Sequence, residues 1–481
     1  MLEADHSYRS IQAVRQAVES GTSVKDIVQS HLDAIKSLDE KLNAIVKLNE
    51  HALDDAVRLD ALPKDQRGPL HGVPVVIKDQ IETAGLRTTF GSETCKDYVP
   101  SKDATLVQRL QDAGAVILGK SSMPDFAASW FSTSSISGTT QNPHDLGRDA
   151  GGSSSGSGAA VSSGMAVVAI GGDTGGSIRL PSSFCGLVGV RVTPGRISRD
   201  GMSSLVVTQD TPGPIGRTVE DVARVLDVIV GFDEKDDFTG VNAINPAGGF
   251  LKGIESPSVK GKRLGVLREA FGSHEGINKT LDTTLQKLNN AGAQLVDISI
   301  PDLDYYKTFT SLYGTRSKTD IDAFLVSRPE LSHLNLEDIV KNKQYHKALD
   351  LMEVISQGTK DYLHNPHFGK RVTEQAKFQR IVASIFAKEK LDAVVYPTCQ
   401  LLAPKTEDVL KGRWTCLNFP TNTIIASQLM FPAVSVPVGK TKDDAEVDGP
   451  ELPVGLEILG LPLQEEGLLA VAAGIEALSQ Q

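Results

Sequence analysis

Apolar residues recur at helical spacing at Val24, Ile27, Val28, Leu32 and Ile35, and Ser23 with Asp26 makes a capping box that accepts the first free helix amides. The pattern predicts an amphipathic helix opening the chain. Val73 to Lys78 reads as a short buried strand. Leu106, Val107 and Leu110 mark a helix that runs through Ala113-Gly114-Ala115 into a strand at Val116 to Leu118. The same unit recurs at Leu281, Leu285 and Leu288, through Ala291-Gly292-Ala293 into a strand at Leu295 to Ile300. Helices alternating with continuous apolar strands predict an α/β fold, with a largely parallel or mixed central β-sheet covered on both faces by helices.

The pattern changes between Gly151 and Gly195, where twelve of the 44 glycines fall, interleaved with Ser153, Ser154, Ser155, Ser157, Ser162, Ser163 and Ser177. A flexible linker shares that composition but lacks apolar strands. This stretch contains Ala166 to Ile170 and ends in Phe184-Cys185-Gly186-Leu187-Val188-Gly189, so it reads as packed core with tight turns. The polar segment from Asp233 to Lys262 reads as a long surface excursion, and Thr315 to Lys388 as helical with weaker patterning. No domain boundary is visible, and residues 1–481 are expected to form a single domain.

Charge and cysteine usage narrow the classes. Lys and Arg number 49 against 60 Asp and Glu, a net charge of −11, the wrong sign for neutralising phosphates, so no nucleic-acid partner is expected. The four cysteines, Cys95, Cys185, Cys399 and Cys416, are far apart and form no Cys-x-x-Cys pair. That spacing disfavours a disulfide framework and a cysteine-rich zinc site, and it fits a reducing, cytoplasmic compartment. Met1 to Ser20 carries Glu3 and Asp5 and lacks a signal-peptide apolar core. The longest apolar stretch, Thr423 to Val438, is broken by Ser427, Gln428, Pro432 and Ser435, so no integral membrane segment is expected.

Three motifs fail on context. Gly114 to Ser121 satisfies the Walker A spacing, but its centre, Ala115-Val116-Ile117-Leu118, has the character of a buried strand rather than a loop exposing amides to phosphate. Gly152-Ser153-Ser154-Ser155-Gly156 matches a nucleophile elbow centred on Ser154, yet the preceding Asn142 to Ala150 is polar and reads as loop. His364 and His367 stand at near-helical spacing, but Pro366 between them favours a surface turn over a metal face.

Gly171-Gly172-Asp173-Thr174-Gly175-Gly176-Ser177 follows the strand at Ala166 to Ile170, and its small residues let backbone amides converge on one point. Were Ser177 a nucleophile, those amides could stabilise the oxyanion formed as its hydroxyl attacks a carbonyl. A base is then needed, and no histidine lies in this core. Lys78, ending an apolar strand, is the alternative, because desolvation lowers a lysine's pKa and suits it to Ser-Lys chemistry. Alone, the glycine run is an ordinary turn and Lys78 a surface charge at a strand end. Their combination favours catalysis.

The run Gly151 to Ser157, then Gly172 to Arg179, then Phe184 to Gly189 resembles the amidase signature family. His71-Gly72-Val73-Pro74, Ile77-Lys78-Asp79, Gly119-Lys120-Ser121-Ser122-Met123 and Leu452-Pro453-Val454-Gly455-Leu456 fit it as well, so the resemblance covers nearly the whole chain. It implies a single amidase-signature domain that hydrolyses or transfers amides with a Ser-cisSer-Lys triad. Position by position, Ser177 matches the nucleophile, Ser153 the bridging serine after a cis peptide, and Lys78 the base; the serines stand 24 residues apart, as in the family. The resemblance also implies an oxyanion hole from the amides of Thr174, Gly175, Gly176 and Ser177, a supporting role for Ser154, and a place for Ala127 in the substrate pocket. Three positions depart from the family pattern: Gly172 where Ser or Thr is usual, Gln80 where Asn is frequent, and Met430 where Gly often precedes the Pro-Ala pair.

Within that domain the resemblance implies a catalytic core over about 65–232, a variable, substrate-specifying region over about 233–390, and completion of the sheet by about 391–481. The expected function is hydrolysis of a small-molecule carboxylic amide, and by the same chemistry esters or carbamates, through a serine acyl-enzyme, with no metal and no cofactor; a homodimer stays open. One alternative is the amidase subunit of a glutamine-dependent tRNA amidotransferase. Tyr305 to Asp322 lacks the Ser-Ser-Gly-Tyr-Tyr-like stretch usual there, and Asp320 to Leu325 looks more like stand-alone amidases. The other alternative, a non-catalytic binding protein, leaves the joint presence of Lys78, Ser153 and Ser177 unexplained.

Overall fold

A computed structural model describes residues 1–246, 248–446 and 448–479. Its strands in chain order are β1 (Ile45–Leu48), β2 (Pro74–Lys78), β3 (Val116–Ser121), β4 (Thr133–Ser134), β5 (Gly138–Thr139), β6 (Gln141–Asn142), β7 (Asp145–Asp149) and β8 (Val168–Asp173). Then follow β9 (Val188–Arg191), β10 (Thr211–Gly216), β11 (Arg263–Leu267), β12 (Gln294–Ile298), β13 (Ala393–Pro397), β14 (Ala433–Thr441) and β15 (Leu452–Leu459). Eleven of them form one sheet in the order β1-β3-β2-β8-β10-β9-β14-β15-β13-β11-β12. β3, β2 and β8 are mutually parallel, as are β13, β11 and β12, and antiparallel pairs join the two blocks. The sheet is mixed, as the alternation of helices and apolar strands predicts.

Strand residues alternate between the two faces. Val75, Ile77, Val168, Ile170, Val434 and Val436 enter one apolar layer, with residues of the helices Ile11–Glu19, Thr105–Asp112, Val219–Ile229 and Glu465–Ser479. Val76 and Ala169 face the opposite layer, built with the helices Val24–Leu42 and Ser155–Ser163. By the same alternation Lys78 points to the side of Val76, under the helix that begins just after Ser153. Each of the fully buried valine and isoleucine side chains among these contributes about 1.5–3 kcal/mol, so the sheet that carries Lys78 is packed from both sides.

Several elements differ from expectation. The Val24–Leu42 helix forms, with Ser23 accepting from Asp26 N, but Ile11–Glu19 precedes it, capped by Ser10 and burying Ile11 and Val14. The strand expected at Ala166 to Ile170 starts at Val168 and continues to Asp173, so Gly171 and Gly172 belong to the sheet rather than to a turn. Asp145–Asp149 is a polar strand of a small ribbon, not loop. The segment from Asp233 to Lys262 is anchored, with Asp233, Asp236, Thr239, Asn242 and Phe250 buried. β11 and β12 extend the far edge of the sheet from within 233–390, so the sheet is not completed by 391–481 alone.

Other features follow the patterning. The Walker-like segment is β3, buried at all six positions. Tyr313–Val326, Leu336–Lys341, Asp350–Ser356 and Phe368–Glu389 are helices. All four cysteines are buried free thiols. No helix among the described residues is long and apolar enough to cross a membrane.

Candidate active site

β2 and β8 run parallel and side by side, and their C-terminal ends place Lys78 and Asp173 next to each other's strands. Crevices outside such strand ends are where open α/β sheets bind ligands. Lys78 is wholly buried, not the surface charge its strand-end position suggests. Its Nζ donates to Ser153 Oγ at 2.7 Å and to Gly172 O at 3.2 Å. Burial pushes its pKa down to about 7, against the opposing pull of Asp173 and Asp210. The neighbouring Asp79 serves a different lysine: Lys120 Nζ lies 3.5 Å from Asp79 Oδ1 and donates to Thr88 Oγ1 at 2.8 Å.

Ser153 follows a cis peptide from Gly152 and stands just ahead of the helix Ser155–Ser163. Between it and that helix, Ser154 N donates to Ser177 O at 3.1 Å, which ties the two serine segments together. Ser154 Oγ accepts from Gly172 N at 3.2 Å and lies 3.3 Å from Gly172 O. That hydroxyl is turned into β8, against the Gly172 backbone. Ser177 is 4% exposed where Ser153 and Lys78 are at 0%, so of the three it is Ser177 that reaches solvent. Among the described residues no hydrogen bond joins Ser177 Oγ to Ser153 Oγ: the link from lysine to serine is formed and the second is not.

Asp173 organises the loop that carries Ser177. Its carboxylate accepts from Gly176 N at 3.0 Å and Ile178 N at 3.2 Å, and it pairs with Arg179 and Arg191 at 3.1 and 3.0 Å. Burial alone would raise its pKa, but the two guanidinium groups hold it well below the usual carboxylate range. Arg179 also meets Glu457 on β15 and donates to Thr423 O at 3.0 Å. Thr174 Oγ1 donates to Asp210 Oδ1 at 2.5 Å, and Gln209 Nε2 to Thr174 O at 2.6 Å.

Of the four amides that the resemblance implies for an oxyanion hole, that of Gly176 therefore already has an acceptor, in Asp173. Among the described residues no hydrogen bond occupies the amides of Thr174, Gly175 or Ser177. Gly176 has φ +118°, and a β-carbon there would overlap Thr423, so only glycine lets the turn close.

A cavity of about 390 Å³ lies behind Tyr313 and Trp130, which separate it from this loop; no residue of 173–178 lines it. Tyr313 and Trp130 line it, and the Tyr313 hydroxyl and Trp130 indole N–H are the groups nearest to a β-carbon built on Gly175. Ala127, at φ +60° and 4% exposed, packs in the apolar cluster that includes Tyr313, with Trp130 at its margin, but it is not part of the cavity wall. Sequence reasoning missed Trp130, Tyr313, Asp210 and Glu457. Asp173 and Arg179 lie in the Gly172 to Arg179 run, which assigned them no role, and a buried-ion reading of Asp-x₅-Arg was the available signal. Among the described residues no group of three or more His, Cys, Asp or Glu is placed to hold a metal ion.

A family model described as Amidase matches residues 26–469. The chain belongs to the amidase family. Among curated relatives of this chain, a glutamyl-tRNA(Gln) amidotransferase subunit from Deinococcus radiodurans is 34% identical, covering 98% of each chain. Among solved structures, the native peptide amidase from Stenotrophomonas maltophilia superposes with a TM-score of 0.86 at 28% identity, covering 98% of this chain and 97% of that one. The corresponding glutamyl-tRNA(Gln) amidotransferase subunit from Thermotoga maritima gives 0.78 at 29% identity, with coverage of 98% and 96%. The chain thus shares its fold and nearly its full length both with a peptide amidase and with amidotransferase subunits.

Proposed function

We propose that the protein hydrolyses carboxylic amides through an acyl-enzyme on Ser177. The observation that carries this reading is the buried Lys78 with its Nζ 2.7 Å from Ser153 Oγ. A lysine with a pKa of about 7 is substantially neutral near neutral pH, and can take a proton from Ser153 as Ser153 takes one from Ser177. Ser177 Oγ then adds to the amide carbonyl, and the amides of Thr174, Gly175 and Ser177 donate to the oxyanion. The proton returns through Ser153 to the leaving nitrogen as the carbon–nitrogen bond breaks. Water repeats the sequence on the acyl-enzyme and frees the acid. Esters and carbamates suit the same groups, and every role is filled by a protein group without metal or cofactor. Four free cysteines support a cytoplasmic site of action.

A fluorophosphonate tests the assignment directly. Labelling is expected at Ser177 and lost in Ser177→Ala; labelling at Ser154 with Ser177 untouched refutes it.

A second reading, the amidase subunit of a tRNA amidotransferase, is favoured by relatives of 31–35% identity named as subunits of glutamyl-tRNA(Gln) amidotransferase. Glutaminase activity that emerges only with partner subunits would establish it over the first.

A further inference from the structure

The cavity that Tyr313 and Trp130 connect to the loop carrying Ser177 has an asymmetric wall. At the loop end are Tyr313 and Trp130; Leu351, Val354 and Ile424 add apolar surface. The charged side chains among its lining residues, Lys307 and Arg371, are basic, and the lining includes no Asp or Glu. Lys307 is already paired, 2.9 Å from the highly exposed Asp304. Arg371 has no carboxylate partner among the described residues. Its Nη1 donates to Phe309 O at 2.7 Å and Ser311 O at 2.8 Å, and its guanidinium lies 5.1 Å from the Phe309 ring centroid. These contacts fix the fork at the backbone end of the segment whose Tyr313 side chain reaches the loop, and Nη2 is left without a protein acceptor among the described residues.

We infer that the substrate carries a carboxylate remote from the scissile amide, received by Arg371 across an apolar spacer. This rests on the proposed amide hydrolysis and specifies its substrate class. Arginine meets carboxylates through paired donors in a fixed plane, and a guanidinium already oriented by two carbonyls loses little freedom on binding. Burial lowers the Arg371 pKa, the sign of a cation short of compensating charge, which an incoming carboxylate supplies. The same wall disfavours free glutamine, whose α-ammonium would enter a cavity that offers cations and no carboxylate. The substrate class is therefore an amide with an anionic tail and no amine beside it, such as the monoamide of a dicarboxylic acid.

The test compares adipamic acid with hexanamide and suberamic acid with octanamide, on the full chain and on Arg371→Gln and Arg371→Lys. In the wild type, kcat/KM for the better acid-tailed amide should exceed that of its alkyl counterpart by about tenfold, the worth of one charge-assisted contact. In Arg371→Gln that ratio should collapse toward one, mainly through KM, with Arg371→Lys intermediate. A purely structural arginine would lower both substrates together and leave the ratio unchanged, which overturns the inference. So does a wild-type ratio at or below one, a readout independent of whether any variant folds. Turnover of free glutamine with both acid-tailed amides inert overturns it as well. Failure of the underlying reading looks different: fluorophosphonate would then spare Ser177, whatever the substrate ratio.

Discussion

Gln80 Oε1 occupies the place that a β-carbon on Gly172 would have to take. Gly172 lies in β8 and accepts the second Lys78 hydrogen bond through its carbonyl, while Gln80, two residues beyond Lys78, donates through Nε2 to Ser203 O at 2.8 Å. The two departures from the family pattern nearest the lysine are thus one spatial exchange, a longer amide at 80 against a missing side chain at 172.

Gly172→Ser alone should destabilise the protein and lower its activity, because the new side chain must displace Gln80. Adding Gln80→Asn, one methylene shorter, should restore much of both. Urea unfolding of the four proteins of this cycle should show a coupling of about 1 kcal/mol or more. Additive losses would mean that the two positions do not share the space.

In the proposed mechanism Lys78 sets the pH behaviour. With a folded pKa of about 7 against an ordinary value of 10.5, kcat/KM should rise through about pH 7 and level off above it. The stability effect has the opposite sense to an ion pair. A depressed lysine pKa means the unfolded chain binds more protons between those two values, so stability gains with pH across that interval. Lys78→Met should therefore stabilise the fold most below pH 7, with the advantage vanishing by about pH 10.5. The same variant should lose several orders of magnitude in amide hydrolysis and less in ester hydrolysis, since an amine leaving group needs a proton returned. Full amidase activity in Lys78→Met would remove the lysine from the mechanism.

Asp173 makes a sharper stability prediction. Asp173→Asn removes the charge between Arg179 and Arg191 at 0% exposure and weakens the acceptor of the Gly176 and Ile178 amides. Breaking a buried ion pair by removing one partner costs about 3–5 kcal/mol. A matching drop in the thermal unfolding midpoint, with activity lost above the new midpoint, is expected. An Asp173→Asn protein of unchanged stability would show that Glu457 alone satisfies the arginines.

How much of this was legible depended on range. β2 and β3 could be read because their apolar runs are continuous, and Ser23 announced its helix by spacing alone. Ile11 and Val14 with the Ser10 cap carried an equally local signal for the first helix, too short to stand out. Arg179 to Glu457 spans 278 residues and joins the helix Arg179–Cys185 to β15, so no window of sequence contains it. The family resemblance singled out Lys78, Ser153 and Ser177, but it treated the four amides of Thr174 to Ser177 as equivalent. Asp173 breaks that equivalence through a side-chain contact that spacing does not encode.

Gly175 offers the most direct probe of that loop. A β-carbon there would overlap the Tyr313 hydroxyl, and the Trp130 indole nitrogen stands 3.3 Å away. The Gly175→Ala methyl must push the loop or the tyrosine aside. If the Gly175 amide is an oxyanion donor, displacing it should lower kcat by about 10²–10³, with a smaller change in KM. The overlapping atom is the far end of a side chain, so Gly175→Ala combined with Tyr313→Phe should recover part of the lost kcat. Recovery is the outcome that ties the tyrosine to the loop. A Gly175→Ala protein with wild-type kcat would remove this amide from the oxyanion hole and leave Thr174 and Ser177 as its donors.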